Sequence, residues 1–349
     1  MNQNQQYDFV NIVKAIAIWL MVFAHLNVAS KSLECFIYIF HMPVFAFISG
    51  FLDKGELISF PQIKKNVKRF FCPYFFFSIC AFSICWIYPV LYPTIYTGQD
   101  TWVDIYLSAI KGMFLMVDRV TATSYMPYNS LWFLPALFLV KTIFSVCNGL
   151  SGKIKYGDFI LFLLSCALLY VIPLKHYVFS FHAALLLLPF YVLGYIYKKR
   201  MAWHYSSANH SVLNLLAVVL STVYLWVFGI QNGRVDVDGC LYGDHFPMYV
   251  INAVVGSMGV ISLSLLVLRT DRLQFIQKVG RSSVTILGTH LYIVICAKLL
   301  MVNVFNCNLN DLPLVVNIIT ATVACVLGVY IHDFLSQKLP ISIGISHRG

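Results

Sequence analysis

Three titratable side chains sit inside or against apolar runs near the start of the chain: Lys14, His25 and His41. The first two bracket KAIAIWLMVFAH, residues 14–25, and the third opens HMPVFAFISGF. Hydrocarbon solvates charges and imidazoles poorly, so each such residue in an apolar run is a functional candidate. Lys14 and His25 are eleven positions apart. On a helix that is three turns plus about 20°, so both point the same way, about 16 Å apart along the axis. His41 lies about six residues into the next apolar run, so it and His25 fall at similar depth on consecutive elements. Pro43 follows closely and frees backbone groups that a cavity or a neighbouring helix must satisfy. Two imidazoles at one depth beside a broken helix describe a site for proton transfer, because a free imidazole titrates at about pH 6.5. A hydrogen-bonded structural pair is the other reading of the histidines, and a snorkelling side chain is the other reading of Lys14.

The elements that must position these groups are membrane helices. Of 349 residues, 60% are hydrophobic and 11% charged, with mean hydropathy +0.78. A soluble domain averages about 45–50% apolar and about 25% charged. Apolar runs recur at roughly 10–29, 35–52, 70–92, 131–148, 157–173, 179–197, 212–230, 247–268, 283–303 and 313–333. These lengths fit helices, whereas a barrel would show short alternating segments. The expectation is an all-α integral membrane protein, one polytopic domain over 1–349 built as a bundle of about ten spans. The segment 102–117 is broken by Asp104 and Lys111 and reads as an interfacial or re-entrant helix.

The net charge of +10 does not argue for a nucleic-acid partner, because the basic residues fall in short loops between runs. Alternate loops and the C-terminal tail hold sixteen Lys and Arg, including Lys64, Lys65, Lys68 and Arg69, against five in the other set. That bias places both termini in the cytoplasm, as an even number of spans requires. The first run carries Lys14 and reads as an uncleaved helix rather than a signal peptide. Ten cysteines show no CxxC and no metal-ligand spacing; Cys240 and Cys307 fall in outer loops, where they could pair. No metal is expected.

DFVNIVKAIAIWLMVFAHLN followed by FIYIFHMPVFAFISGFL resembles the start of the membrane acyltransferase-3 family, and is most similar to its fucose-4-O-acetylase-like branch. VKRFFCPYFFF, NSLWFLPALFLVK, LLLLPFYVLGYIYKK and VGRSSVTILGTHLYIV follow in the family's order, so the resemblance covers about residues 7–335. It implies about ten helices and transfer of an acyl group, often acetyl, from cytoplasmic acyl-CoA to hydroxyls of sugars, often on the outer side. It makes His25 the candidate catalytic histidine. Lys14 stands where many members carry Arg, keeping the charge without the bidentate fork. Asn66 and Arg69, ahead of Pro73, stand where many members carry R-x-x-R, with Lys65 and Lys68 adjacent.

Acyl transfer to a hydroxyl needs a base, a donor to the oxyanion and a site for a polyanionic carrier. In this reading His25 takes the acceptor's proton. His41, or an Asn or Trp nearby, orients it or holds the oxyanion. Direct transfer and an acyl-histidine intermediate both remain open. Lys14, Lys65, Lys68 and Arg69 are candidates to hold the phosphates of acetyl-CoA or another acyl-CoA, and the rise from Lys14 to His25 is of the order of a pantetheine arm, about 16 Å. His290 is read either as lining the donor channel or as a structural hydrogen bond. Asn129, Trp132, Asp236 and Asp238 are acceptor-binding candidates, against the ordinary interfacial belt for the aromatic residue. The expected partners are a sugar or polysaccharide acceptor, the bilayer and the polysaccharide biosynthesis machinery. The expected location is a bacterial inner membrane. The competing reading is a transporter or flippase of a lipid-linked sugar, with the histidines as a proton relay; it predicts inverted repeats, and none is visible in the sequence.

Overall fold

The structure, a computed structural model, describes residues 3–26, 30–83, 102–116, 129–151, 154–200, 211–268, 273–305 and 313–345. Residues 84–92 of the third apolar run, most of the 93–130 loop, Cys307 and the Asn129 side chain lie outside them. The helices are α1 (Gln3–Ala24), α2 (Lys31–Tyr38), α3 (His41–Phe51), α4 (Phe60–Ala81), α5 (Trp102–Leu115), α6 (Phe133–Ser151), α7 (Gly157–Val171), α8 (Phe181–Arg200), α9 (Ser211–Tyr224), α10 (Phe246–Val267), α11 (Gln274–Arg281), α12 (Ser283–Phe305) and α13 (Leu314–Lys338). A two-residue hairpin pairs β1 (Val235–Asp236) with β2 (Leu241–Tyr242), antiparallel.

Helix occupies at least part of every one of the ten apolar runs. Among the described residues, seven helical segments are long and apolar enough to cross a membrane: 31–51, 130–149, 178–200, 211–232, 246–267, 283–301 and 314–338. The first turns of α1 are polar, α4 carries four cations in its first half, and α7 spans only 15 residues. On α9 the side chains of Leu213, Leu216, Leu220 and Val223 stand exposed. Such a helix, apolar on its outward face, belongs against hydrocarbon. The chain is a multi-pass, all-α membrane protein.

The run 35–52, expected as one span, falls almost wholly in the single apolar segment 31–51, but that segment is built of two helices. They meet at Ile39 and Phe40, directly before His41. Pro43 is the third residue of α3 and sits in its first turn, where the missing N–H removes no helical bond. Past the break Val44 N–H donates to the Phe40 carbonyl at 2.9 Å, restarting the ladder. The break therefore lies on the N-terminal side of Pro43 and turns His41 out at the head of α3. The end of α1 also differs from the expected span: the helix stops at Ala24, and His25 keeps the last helical bond, N–H to the Met21 carbonyl at 3.2 Å.

α3 is buried along nearly its whole length and packs tightly against α8. The approach depends on two glycines: a Cβ on Gly50 would overlap the Tyr191 carbonyl, and one on Gly194 would overlap the Phe47 carbonyl. α1 packs against α3, α10, α11, α12 and α13. It is therefore central to the bundle, and Phe9, Ile12, Val13, Ile18 and Val22 are all essentially inaccessible to solvent.

Candidate active site

Two cavities run along the face of α1 that carries Lys14 and His25. The first, about 410 Å³, is lined by His25, Tyr38, His41, Ser130, Trp132, His176, Arg234, Asp236 and Asp238 among others. The second, about 530 Å³, is lined by Asn11, Lys14, Ser49, Asp53, Arg69, Lys141, Tyr191, Arg281 and His332 among others. Among the described residues, Met21, Met42 and Leu287 line both. The two spaces thus abut end to end, one rich in imidazole and carboxylate, the other in cations.

In the first cavity the break before α3 places His41. Its Nδ1 lies 3.0 Å from the Ile37 carbonyl, which can only accept, so Nδ1 carries the proton and Nε2 holds the lone pair. The Tyr38 ring packs edge-on against it at 5.0 Å. His25 packs against His290, ring centroids 5.3 Å apart. The Nδ1 of His290 is 3.0 Å from the Ile286 carbonyl and 3.1 Å from the Leu287 carbonyl, so its Nε2 is likewise the basic nitrogen. His290 was expected either towards the donor side or in a structural bond; its Nδ1 makes the bond, and its ring belongs to the His25 end. Gly280 of α11 meets the Asn11 backbone, which puts Arg281 near the level of Lys14. From there His290 is nine residues up and His25 eleven, about 14 Å and 16 Å of rise. Depth counted from the membrane surface hid this.

The loop before α10 covers the same cavity. Asn232 is buried and cross-ties it, donating to the Tyr242 carbonyl at 3.1 Å and accepting from His245 N–H at 2.9 Å. Asp236 accepts from Gly239 N–H at 3.0 Å and pairs with Arg234 at 3.4 Å. Trp132 is buried at the end of the 3₁₀ turn 129–132 and lines the cavity with Ser130. Asp236 and Asp238 line it too, so three of the four acceptor candidates converge there; Asn129 opens the same turn.

His176, His182 and Cys240 bring ligand-type atoms within 4.8 Å of one another. His182 already uses both nitrogens: Nδ1 accepts from Tyr177 N–H at 3.2 Å, and Nε2 donates to the Asp238 carbonyl at 3.1 Å. Burial, with Asp238 and Asp236 beside it, pushes the Cys240 thiol up to about 12, so it is neutral. The group ties the loop to the start of α8.

The second cavity presents four basic side chains, Lys14, Arg69, Lys141 and Arg281, and one carboxylate, Asp53. Asp53 lies just past the end of α3 and is buried. It accepts from Lys141 Nζ at 2.6 Å, from the Tyr191 hydroxyl at 2.5 Å and from Gly55 N–H at 2.7 Å. Burial works to raise its pKa, but the hydrogen bonds from Lys141 and Tyr191, the Lys141 charge and the Gly55 N–H carry it below the ordinary carboxylate value. Lys65 and Lys68, expected among the donor contacts, stand exposed on α4 outside this lining. The helix turns 100° per residue, so a face that holds Arg69 cannot also hold Lys68. Asp53, Lys141, Tyr191, Arg281, Tyr38 and His176 line the two cavities without having been singled out for the site. Only Lys141, a cation at the edge of an apolar run, and Asp53, the first charge after another, carried a signal.

A family model described as an acyltransferase domain matches residues 7–332. No curated protein and no solved structure matches the chain. A match over nearly the whole length, on a multi-pass helical bundle with an imidazole cluster at one end of its cavities, settles the assignment: the chain belongs to the acyltransferase-3 family and is a membrane acyltransferase.

Proposed function

We propose that this acyltransferase moves an acyl group, acetyl first among candidates, from cytoplasmic acyl-CoA to a sugar hydroxyl of a surface polysaccharide or exported glycoconjugate. This follows the fucose-4-O-acetylase-like pattern, in a bacterial inner membrane. The chain crosses ten times with both termini inside, so the Lys14 cavity opens to the cytoplasm and the His25 cavity to the outer side. The observation that carries the reading is the abutment of a cationic cavity and a histidine cavity at Met21, Met42 and Leu287. A polyanionic donor fits the first, and a polyol fits the carboxylates and aromatic rings of the second.

In the transfer step the acceptor hydroxyl oxygen attacks the thioester carbonyl carbon and its proton passes to His25. The C–S bond breaks, the ester is released, and the CoA thiolate takes the proton from His25 and leaves as the thiol towards the cationic cavity, which restores the neutral imidazole. His290 packs on the His25 ring and positions it; His41 presents a lone pair at Nε2 to the same space. Lys14, Arg69 and Arg281 hold the donor's phosphates, with Lys141 held in the wall by Asp53.

The test compares O-acetyl signals in purified envelope glycans by proton NMR, from cells with the wild-type chain and with His25→Ala at matched membrane levels. Loss of one defined acetyl signal supports the reading and identifies the sugar and position. An unchanged pattern refutes His25 as the base.

A further inference from the structure

The three residues that line both cavities, Met21, Met42 and Leu287, have a common relation to the histidines. Met21 is one helical turn before His25, Leu287 is three positions before His290, and Met42 follows His41 directly. All three are buried, with relative exposures of 2%, 7% and 6%. Residues that line two distinct spaces stand at the boundary between them. Below that boundary lie Lys14, Arg69 and Arg281; above it lie His25 and His41.

We infer that Met21, Met42 and Leu287 form a collar that selects the acyl chain of the donor by length. The inference rests on the proposed transfer from acyl-CoA and deepens it. A donor whose phosphates sit among the cations must pass its thioester through the collar to reach His25. The carbonyl then lies at the imidazole, and the acyl carbons beyond it enter the floor of the first cavity, which the same two methionines and leucine line beside His25 and His41. In the first cavity carboxylates and an arginine interrupt the apolar surface that Trp132, Val237 and Leu241 contribute, so a long alkyl chain would have to lie against charged groups. Apolar contact is available at the collar itself. Methionine side chains are unbranched and adaptable, so the collar yields to a pantetheine arm while resisting added bulk. One methylene in an apolar site is worth about 10- to 200-fold in discrimination. Three side chains of this size therefore suffice to separate acetyl from butyryl, without any polar contact to the chain.

The test uses the full chain in membranes with its envelope glycan acceptor, supplied in turn with acetyl-, propionyl-, butyryl- and hexanoyl-CoA. Ester formation is read by mass spectrometry as relative kcat/KM. Wild type should favour the short chains. Met42→Ala and Leu287→Ala should raise the butyryl-to-acetyl ratio about tenfold or more, and Leu287→Phe should lower propionyl against acetyl. Widening and narrowing variants move the ratio in opposite directions, which loss of folded protein cannot imitate because it scales all donors equally. Wild-type transfer with ratios unchanged in every variant overturns the collar alone. No transfer from any acyl-CoA by the wild-type chain overturns the proposed reaction and the collar with it.

Discussion

The buried pair of Asp53 and Lys141 gives a quantitative test of how the cationic cavity is held. Replacing Asp53 with Asn keeps the volume but leaves Lys141 facing an amide. The Lys141 side chain is 21% exposed, so water reaches part of it, while Asp53 is only 3% exposed. Breaking a buried pair from one side costs about 3–5 kcal/mol. Asp53→Asn should fall at the low end, about 3 kcal/mol, because the remaining cation is partly hydrated. Lys141→Met should cost more, about 4 kcal/mol, because it leaves the less exposed carboxylate with the Tyr191 hydroxyl, the Gly55 N–H and the Lys198 ammonium, which donates to the Asp53 backbone carbonyl at 3.2 Å. The double variant leaves no unpaired charge and should lose less than Lys141→Met alone, giving a coupling of roughly 3 kcal/mol or more. The assay is reversible denaturant unfolding of the detergent-solubilised protein for the four members of the cycle. Additivity within about 0.5 kcal/mol, or Lys141→Met milder than Asp53→Asn, would refute the account of the pair.

Further outcomes follow from the same geometry. Asp53 has a folded pKa below its unfolded value, so its contribution is complete above the unfolded carboxylate pKa of about 3.9 and disappears as pH falls through the lower folded value. The stability gap between wild type and Asp53→Asn should therefore stay constant from pH 8 to about pH 5 and close only below about pH 4. His25→Ala should lower transfer by about 10²- to 10⁴-fold, whereas His290→Gln should lower kcat with KM for the acyl-CoA unchanged, since it acts through His25. Arg69→Ala should raise KM for the acyl-CoA about tenfold, the worth of one charge-assisted hydrogen bond, while Lys65→Ala and Lys68→Ala change it less than about twofold because neither lines the cavity. Gly50→Ala should cost at least about 1–3 kcal/mol, measured by thermal melting in detergent, because the new methyl has to displace the Tyr191 backbone.

The membrane class, the helical content and the shared face of Lys14 and His25 were legible because they depend on composition and on covalent geometry along one helix. His41 was legible for the same reason, through its offset into the second run and the proline beside it. The sequence could not show that the second run is broken before His41 rather than at Pro43. A proline in the first turn is compatible with helix, and the neighbouring elements chose where the ladder restarts.

Contacts between distant segments were beyond reach. Asp53 meets Lys141 and Tyr191 across 88 and 138 residues, and no local pattern pairs them. His290 reached His25 because α11 docks at Asn11 and lifts the start of α12 to the level of Lys14. Lys65 and Lys68 stand on the same helix as Arg69 but outside the cavity lining, and charge counted between apolar runs does not say which cation reaches a cavity. Periodicity fixes which residues share a face, whereas packing between helices fixes which faces meet and at what height. For this chain the sequence determined the bundle and the histidine on its first helix. The tertiary structure alone decided that two cavities of opposite character meet at Met21, Met42 and Leu287.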